Sequence, residues 1–256
     1  MTEQFYRDLA ALTGPATVCV EERTADLNHW IMDQLHPRSG EMLLQIGGSH
    51  GQHALALASA AGEEGYLLAI DRSYRALTFL AQRSQEHGLE KRIRFLYLNF
   101  DDLAGHLHAE DFARALGTPA LCAIRQPQAV FHAIHQALKA GGIFFFYGSS
   151  HKDLAELRLF AANLSDTSTP QERRELSFIE KIGLPYAREV FSQVDSVKFE
   201  MLIHFNSPDE LYTGWHESIF YEETLDSAFR QAAVRHFQHH TSFETTQRLV
   251  GIKAMK

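Results

Sequence analysis

Cysteine is nearly missing from this chain: 256 residues contain only Cys19 and Cys122. Two thiols so far apart make neither a disulfide framework nor a metal cluster. Long apolar runs are missing too, and nothing approaches the roughly 20 residues of a membrane-crossing helix. Positive charge is short: 24 basic residues against 32 acidic ones give a net charge of -8. That excludes a global electrostatic footprint for nucleic acid and disfavours an anionic membrane surface. The 15 histidines come without a His-Glu-x-x-His or Cys-x-x-Cys pattern, so no metal is expected. The opening residues, MTEQFYRDLAALTG, lack a cationic lead into an apolar core. With so little cysteine, a reducing cytoplasm is the expected location.

What is present is alternation. Between 40 and 148, short apolar runs alternate with amphipathic segments, the signature of a parallel sheet crossed by helices in an α/β fold. The spacing predicts strands at Met42 to Ile46, Tyr66 to Ile70, Ile93 to Leu98, Leu121 to Ile124 and Ile143 to Tyr147. Ser73 is placed to cap a helix closed by Gly88, and Pro127 starts another that runs to the glycine pair Gly141-Gly142. Residues 1–38 read as two helical pieces, Phe5 to Leu12 and Thr24 to Leu35, with Thr24 as a cap. Residues 149–190 read as helical, including a capping box at Thr169-Pro170-Gln171-Glu172 and a break at Gly183 and Pro185. A strand over Val197 to Phe205, two helices from Ser207 onward and a closing strand from Phe243 to Lys253 complete the chain.

The chemistry concentrates at MLLQIGGSHG, Met42 to Gly51: a buried strand, a glycine turn and then a helix. Such a turn lets backbone approach a ligand, and the helix N-terminus offers unpaired N–H groups. Twenty residues past Gly51, the second strand ends on Asp71, whose carboxylate is suited to the hydroxyls of a ribose. A dinucleotide fingerprint needs glycines at 47, 49 and 52, and only Gly47 complies, which counts against a nicotinamide enzyme.

The spacing Gly47-x-Ser49-x-Gly51 resembles motif I of the class I S-adenosylmethionine-dependent methyltransferases. So does the order of parts over about 110 residues: LLQIGGSHG, LLAIDRS, IRFLYLNFDDL, then ALKAGGIFFFYG. This chain has Gln45 where the family has an acid and Ser49 where it has the middle glycine. The resemblance implies a doubly wound, mostly parallel seven-stranded sheet with an antiparallel last strand and a helical cover, all in one domain. Its cofactor would be S-adenosylmethionine. Gly47, Gly48, Ser49 and Gly51 would lie near the methionine moiety, Asp71 on the ribose, Arg72 beside the adenine, Asn99 at the adenine amino group and Phe100 against the ring.

Arg125, expected just past strand four, is suited to a carboxylate of the cofactor or substrate, or to a surface ion pair. His132 and His135 flank the apolar stripe Val130, Phe131, Ile134 and Leu138, which puts them at the solvent side. The leader 1–38 and the segment 149–190 are expected to cover an acceptor site on the 40–148 core, with 191–256 completing the sheet. Residues expected to face a small-molecule acceptor are Tyr6, Tyr147, Tyr212, Trp215 and His216, with His151 as general base. No nucleic-acid or membrane partner is expected, and a homodimer is allowed. The changes at Gln45, Ser49 and Asn99 keep an alternative open: a degenerate relative that binds cofactor or partner without catalysis.

Overall fold

A computed structural model describes residues 16–48, 51–164, 176–218 and 220–256, with the first ten of these described by backbone alone. In chain order these form α1 (Ala16–Leu35), β1 (Met42–Ile46), α2 (Gln52–Ala61), β2 (Tyr66–Asp71), α3 (Tyr74–Glu86) and β3 (Ile93–Tyr97). Then come β4 (Phe112–Gly117), α4 (Pro127–Ala137), β5 (Leu138–Ser149), α5 (Ala155–Ala162) and α6 (Leu184–Val190). The last elements are β6 (Gln193–Phe205), α7 (Pro208–His216), α8 (Asp226–Phe237) and β7 (Phe243–Met255). The seven strands form one sheet in the order β3-β2-β1-β4-β5-β7-β6. β1 to β5 pair in parallel, and β7 is antiparallel to both β5 and β6. This is the doubly wound, mostly parallel sheet that the motif order implies. No helix among the described residues is long and apolar enough to cross a membrane.

Side-chain alternation along β5 explains the layers. Phe144 and Phe146 point to one face, where Phe131 of α4 meets them at ring distances of 5.7 and 5.3 Å. Phe145 and Tyr147 point to the other, where Trp30 of α1 lies edge-on at 5.1 and 6.0 Å. Each fully buried ring stabilises the fold by roughly 1.5–3 kcal/mol. A third apolar cluster, with Leu157, Leu211, Trp215 and Phe229, lies among α5, α7, α8 and the ends of β6 and β7. Those ends outrun the rest of the sheet: β7 pairs with β5 only as far as Leu249, but with β6 as far as Phe243.

Several sequence expectations are corrected. Strand four is Phe112–Gly117, and Leu121 to Ile124 falls instead in and just after a 3₁₀ turn, Pro119–Ala123, capped by Thr118. The pattern misled because the true strand carries Arg114. Its guanidinium is satisfied at the amino end of the sheet by the Leu35 and Ala113 carbonyls at 2.7 and 2.8 Å and by Glu41 at 3.3 Å. The apolar run after it is buried as a turn through Leu121 and Ile124. Thr24 lies inside α1 rather than capping it. α4 stops at Ala137, because Leu138 already pairs with Phe112. Gly183 and Pro185 do not break the helix: a π turn, Ile179–Gly183, continues directly into α6, with the proline in its first turn. The capping box at 169–172 and the piece from Phe5 to Leu12 lie outside the described residues.

Candidate functional site

The carboxyl ends of β1, β2 and β3 form one rim. At its centre the turn after β1 takes left-handed backbone angles, with φ of 76° at Gly47, 72° at Gly48 and 103° at Gly51. The turn is tied down by Gly47 N–H donating to the Ile70 carbonyl at 2.8 Å. It also leans on the capped 3₁₀ turn that follows β4. A Cβ at Gly47 would lie 2.5 Å from Ala120 Cβ, and one at Gly48 2.5 Å from Thr118 Cγ2. The glycines are therefore needed by the protein's own packing, apart from any ligand.

Gln45 lies beneath this turn, fully buried. Its Nε2 donates to the carbonyls of Gly47 at 2.9 Å and Gly48 at 3.2 Å. Its Oε1 is buried without a hydrogen-bond partner among the described residues.

Asp71 ends β2, and its carboxylate accepts the Ser73 N–H at 2.8 Å. Ser73 in turn caps α3 by accepting the Ala76 N–H. Next to it opens a cavity of about 410 Å³ lined by Arg72, Tyr97, Leu98 and Asn99. Tyr74 and Tyr97, 72% and 62% exposed, meet edge to face at 6.2 Å on the outer side. Asn99 caps a 3₁₀ turn, Phe100–Gly105, by accepting the Asp101 N–H at 3.4 Å. Phe100 is 1% exposed and packs in the core with Leu44 and Ile46, so the structure places it under the rim and not on the cavity wall.

Asp101 was not anticipated. Its Oδ1 accepts the backbone N–H groups of Arg125 at 2.8 Å and Gln126 at 2.9 Å, joining the segment after β3 to the entry of α4. Arg125 itself is exposed and follows the 3₁₀ turn instead of ending a strand. The acidic pair after Asn99 was the available signal.

A second unanticipated feature connects three elements. The Tyr147 hydroxyl of β5 meets His53 Nε2 at 2.9 Å, and His53 Nδ1 of α2 meets Asn28 Oδ1 of α1. The chain is satisfied when Nδ1 carries the hydrogen and Nε2 accepts from the phenol. Burial pushes the Tyr147 hydroxyl pKa up, which keeps it a donor. Nothing in the sequence around His53 distinguished it from an ordinary helix residue.

The remaining site expectations fall on other elements. His151 is exposed after β5, with Nδ1 3.3 Å from Glu180 of the π turn. Tyr212, Trp215 and His216 belong to the third cluster. Trp215 is fully buried and stacked on Phe229 at 4.0 Å, so it lines no surface. Burial first, and then donation to Asp226, push the Tyr212 hydroxyl up to about 12, with Arg230 over its ring at 3.4 Å. Tyr6 and Ser49 lie outside the described residues.

A family model described as "Methyltransferase domain" matches residues 37–206. The chain belongs to the methyltransferase-domain family. The class I resemblance read from the order of parts therefore holds, and S-adenosylmethionine is the cofactor that goes with it. No curated protein matches by sequence. Solved structures share the fold at low identity. A Bacillus halodurans protein described as a methyltransferase is 13% identical with a TM-score of 0.60, over 90% of this chain and 98% of that one. Phosphoethanolamine N-methyltransferase 2 of Haemonchus contortus, solved with S-adenosylhomocysteine, is 16% identical with a TM-score of 0.57, over 90% of this chain and 52% of that one. A precorrin 8w decarboxylase of Methanobacterium thermoautotrophicum is 12% identical with a TM-score of 0.54, over 90% of this chain and 89% of that one. At such identities the likeness is one of fold, and fold alone does not choose a reaction.

Proposed function

We propose that this protein transfers a methyl group from S-adenosylmethionine to a small-molecule acceptor by in-line displacement. The observation that carries the reading is the single rim that gathers the Gly47-Gly48 turn, Asp71 and the cavity of Arg72, Tyr97, Leu98 and Asn99. These residues fit the cofactor. Gln45 Oε1 is a buried acceptor in want of a donor, Asp71 suits a ribose hydroxyl, and the cavity offers an aromatic wall and an amide for a base.

When bound, the cofactor supplies an electrophilic methyl on a sulfonium. The chain's own task is then to hold and align. Positioning alone contributes several kcal/mol, up to roughly 7–11 in ideal intramolecular cases. A base is needed only for an acceptor that arrives protonated. His151, next to Glu180 at the end of β5, is the residue assigned that role in this reading, under a cover drawn from the leader and residues 149–190. The acidic net charge of -8 favours a small acceptor over nucleic acid.

Calorimetric titration with S-adenosylmethionine, S-adenosylhomocysteine and NADH in parallel tests the reading. Micromolar binding of the first two and none of NADH is expected. Binding of neither sulfur compound would remove it. The second reading, a relative that binds without catalysis, is favoured by the amide at position 45 in place of an acid. It predicts cofactor binding with no methylated product across an acceptor screen.

A further inference from the structure

The position that the family fills with an acid is occupied here by a donor that is in use. The nitrogen of Gln45 faces two carbonyls, Gly47 O at 2.9 Å and Gly48 O at 3.2 Å. Carbonyls only accept, so the orientation of this amide is fixed by its partners. A carboxylate in the same place would also only accept, and would face both oxygens with a negative charge in a fully buried setting. The turn has little room to reverse. Gly47 N–H is bound to Ile70 O, Gly47 is packed against Ala120 and Thr118, and Gly48 is packed against Thr118.

We propose that Gln45 is a positioning residue that holds the glycine turn in its cofactor-binding shape by amide donation, so that restoring the family's acid impairs binding. The proposal rests on the reading of the rim as a cofactor site. It runs against the motif alone, which carries an acid where this chain has Gln45. Side chain and turn match: the turn presents oxygens inward, and position 45 supplies the hydrogens.

The test uses the full chain with Gln45→Glu, which keeps the size and removes the donors, and Gln45→Met, which keeps the size without charge. S-adenosylhomocysteine affinity and urea unfolding without ligand are measured at pH 8 and pH 5.5. Losing two donated bonds predicts at least about tenfold weaker binding by Gln45→Glu at pH 8. A buried carboxyl facing carbonyls titrates above its unfolded value, so its penalty disappears as pH falls through that raised value. Once protonated, the introduced carboxyl regains one donor, so the affinity and stability of Gln45→Glu should recover relative to wild type at pH 5.5. Gln45→Met should be weakened at both pH values without recovery.

Other groups in the neighbourhood also titrate or carry charge: Asp71 at the end of β2, His53 of α2, Arg83 of α3 near Gly51 and Tyr147 on the same sheet face. The effect is therefore read as the difference from wild type at each pH. Gln45→Glu binding or folding as well as wild type at pH 8, or gaining nothing on acidification, would overturn the proposal. A wild-type protein that binds no S-adenosylhomocysteine would instead remove the function reading, and the ligand-free unfolding series would still decide the role of Gln45.

Discussion

Gly47 and Gly88 both hold positive φ, 76° and 67°, yet they do different work. A Cβ at Gly88 would meet nothing within 4 Å. One at Gly47 would run into Ala120 Cβ at 2.5 Å and Thr118 Oγ1 at 2.7 Å. Gly88→Ala should therefore cost only the left-handed backbone penalty, about 1–2 kcal/mol. Gly47→Ala adds overpacking to that penalty and should cost roughly 2–4 kcal/mol. Urea unfolding of the two variants checks the contrast, and equal losses would mean that the turn does not lean on Thr118 and Ala120. Where Gly47→Ala stays folded, S-adenosylhomocysteine binding should be weakened, because the turn can relieve the clash only by leaving Thr118.

At the scale of elements, the segment after β5 is laced to β7 by acids. Glu156 of α5 accepts from Thr245 Oγ1 at 3.0 Å and Thr246 N–H at 3.1 Å, and pairs with Arg248 at 3.0 Å. Asp153 accepts the Arg248 N–H at 2.7 Å. The two carboxyls shift in opposite directions. For Glu156, partial burial raises the pKa, but donation from Arg248, from its own backbone and from Thr246 and Thr245 outweighs that and lowers it from 4.5 to about 2. For Asp153, burial dominates and raises it.

A depressed carboxyl contributes stability above its unfolded pKa and loses it as pH falls towards the folded one. Glu156→Gln should thus be less stable than wild type at pH 7, with the gap closing as pH drops below about 4.5 towards 2. Asp153 contributes in the reverse sense and is common to both proteins, so it largely cancels in the comparison. A gap that stays constant from pH 7 to 3 would mean that Glu156 acts by packing and not by charge.

Elements also show what a sequence can tell. β1, β2 and β3 were legible because each is a run of mostly large apolar residues, interrupted only by Gln45 in β1 and Arg94 in β3 and bounded by turn residues, and the caps Ser73 and Ser207 were legible because a side-chain oxygen precedes the helix that it caps. β4 was not, because Phe112 and Leu116 are its only large apolar side chains, and Arg114 between them is satisfied by Leu35, 79 positions away in sequence. The rim was half legible. Its turn, Asp71 and Asn99 follow a local spacing, whereas the Tyr147–His53–Asn28 chain joins residues up to 94 positions apart, and Asp101 acts on a segment 24 residues on. Chain order predicts neither contact.

Across the whole molecule, the rim proposed for the cofactor and the third cluster are built from different elements. The rim uses the turn after β1 and the ends of β2 and β3; the cluster uses α5, α7, α8 and the overhanging ends of β6 and β7. Trp215 is the residue that distinguishes scaffold from acceptor contact. It is fully buried against Phe229, and its Nε1–H is buried without a partner among the described residues. Trp215→Phe gives up contact area but also removes an unpaired donor, and an unsatisfied buried group costs about 1–3 kcal/mol. The two effects oppose, so stability should change by less than about 1.5 kcal/mol, within the range of size-conserving apolar exchanges. The affinity for S-adenosylhomocysteine should stay as in wild type, because among the described residues this cluster and the rim have no member in common. Calorimetry together with urea unfolding measures both. A Trp215→Phe protein that folds normally yet loses S-adenosylhomocysteine binding would join the two regions into one site. Unchanged cofactor binding with a raised KM for an acceptor, once one is found, would place the acceptor against the third cluster and make the overhang of β6 and β7 the wall that selects it.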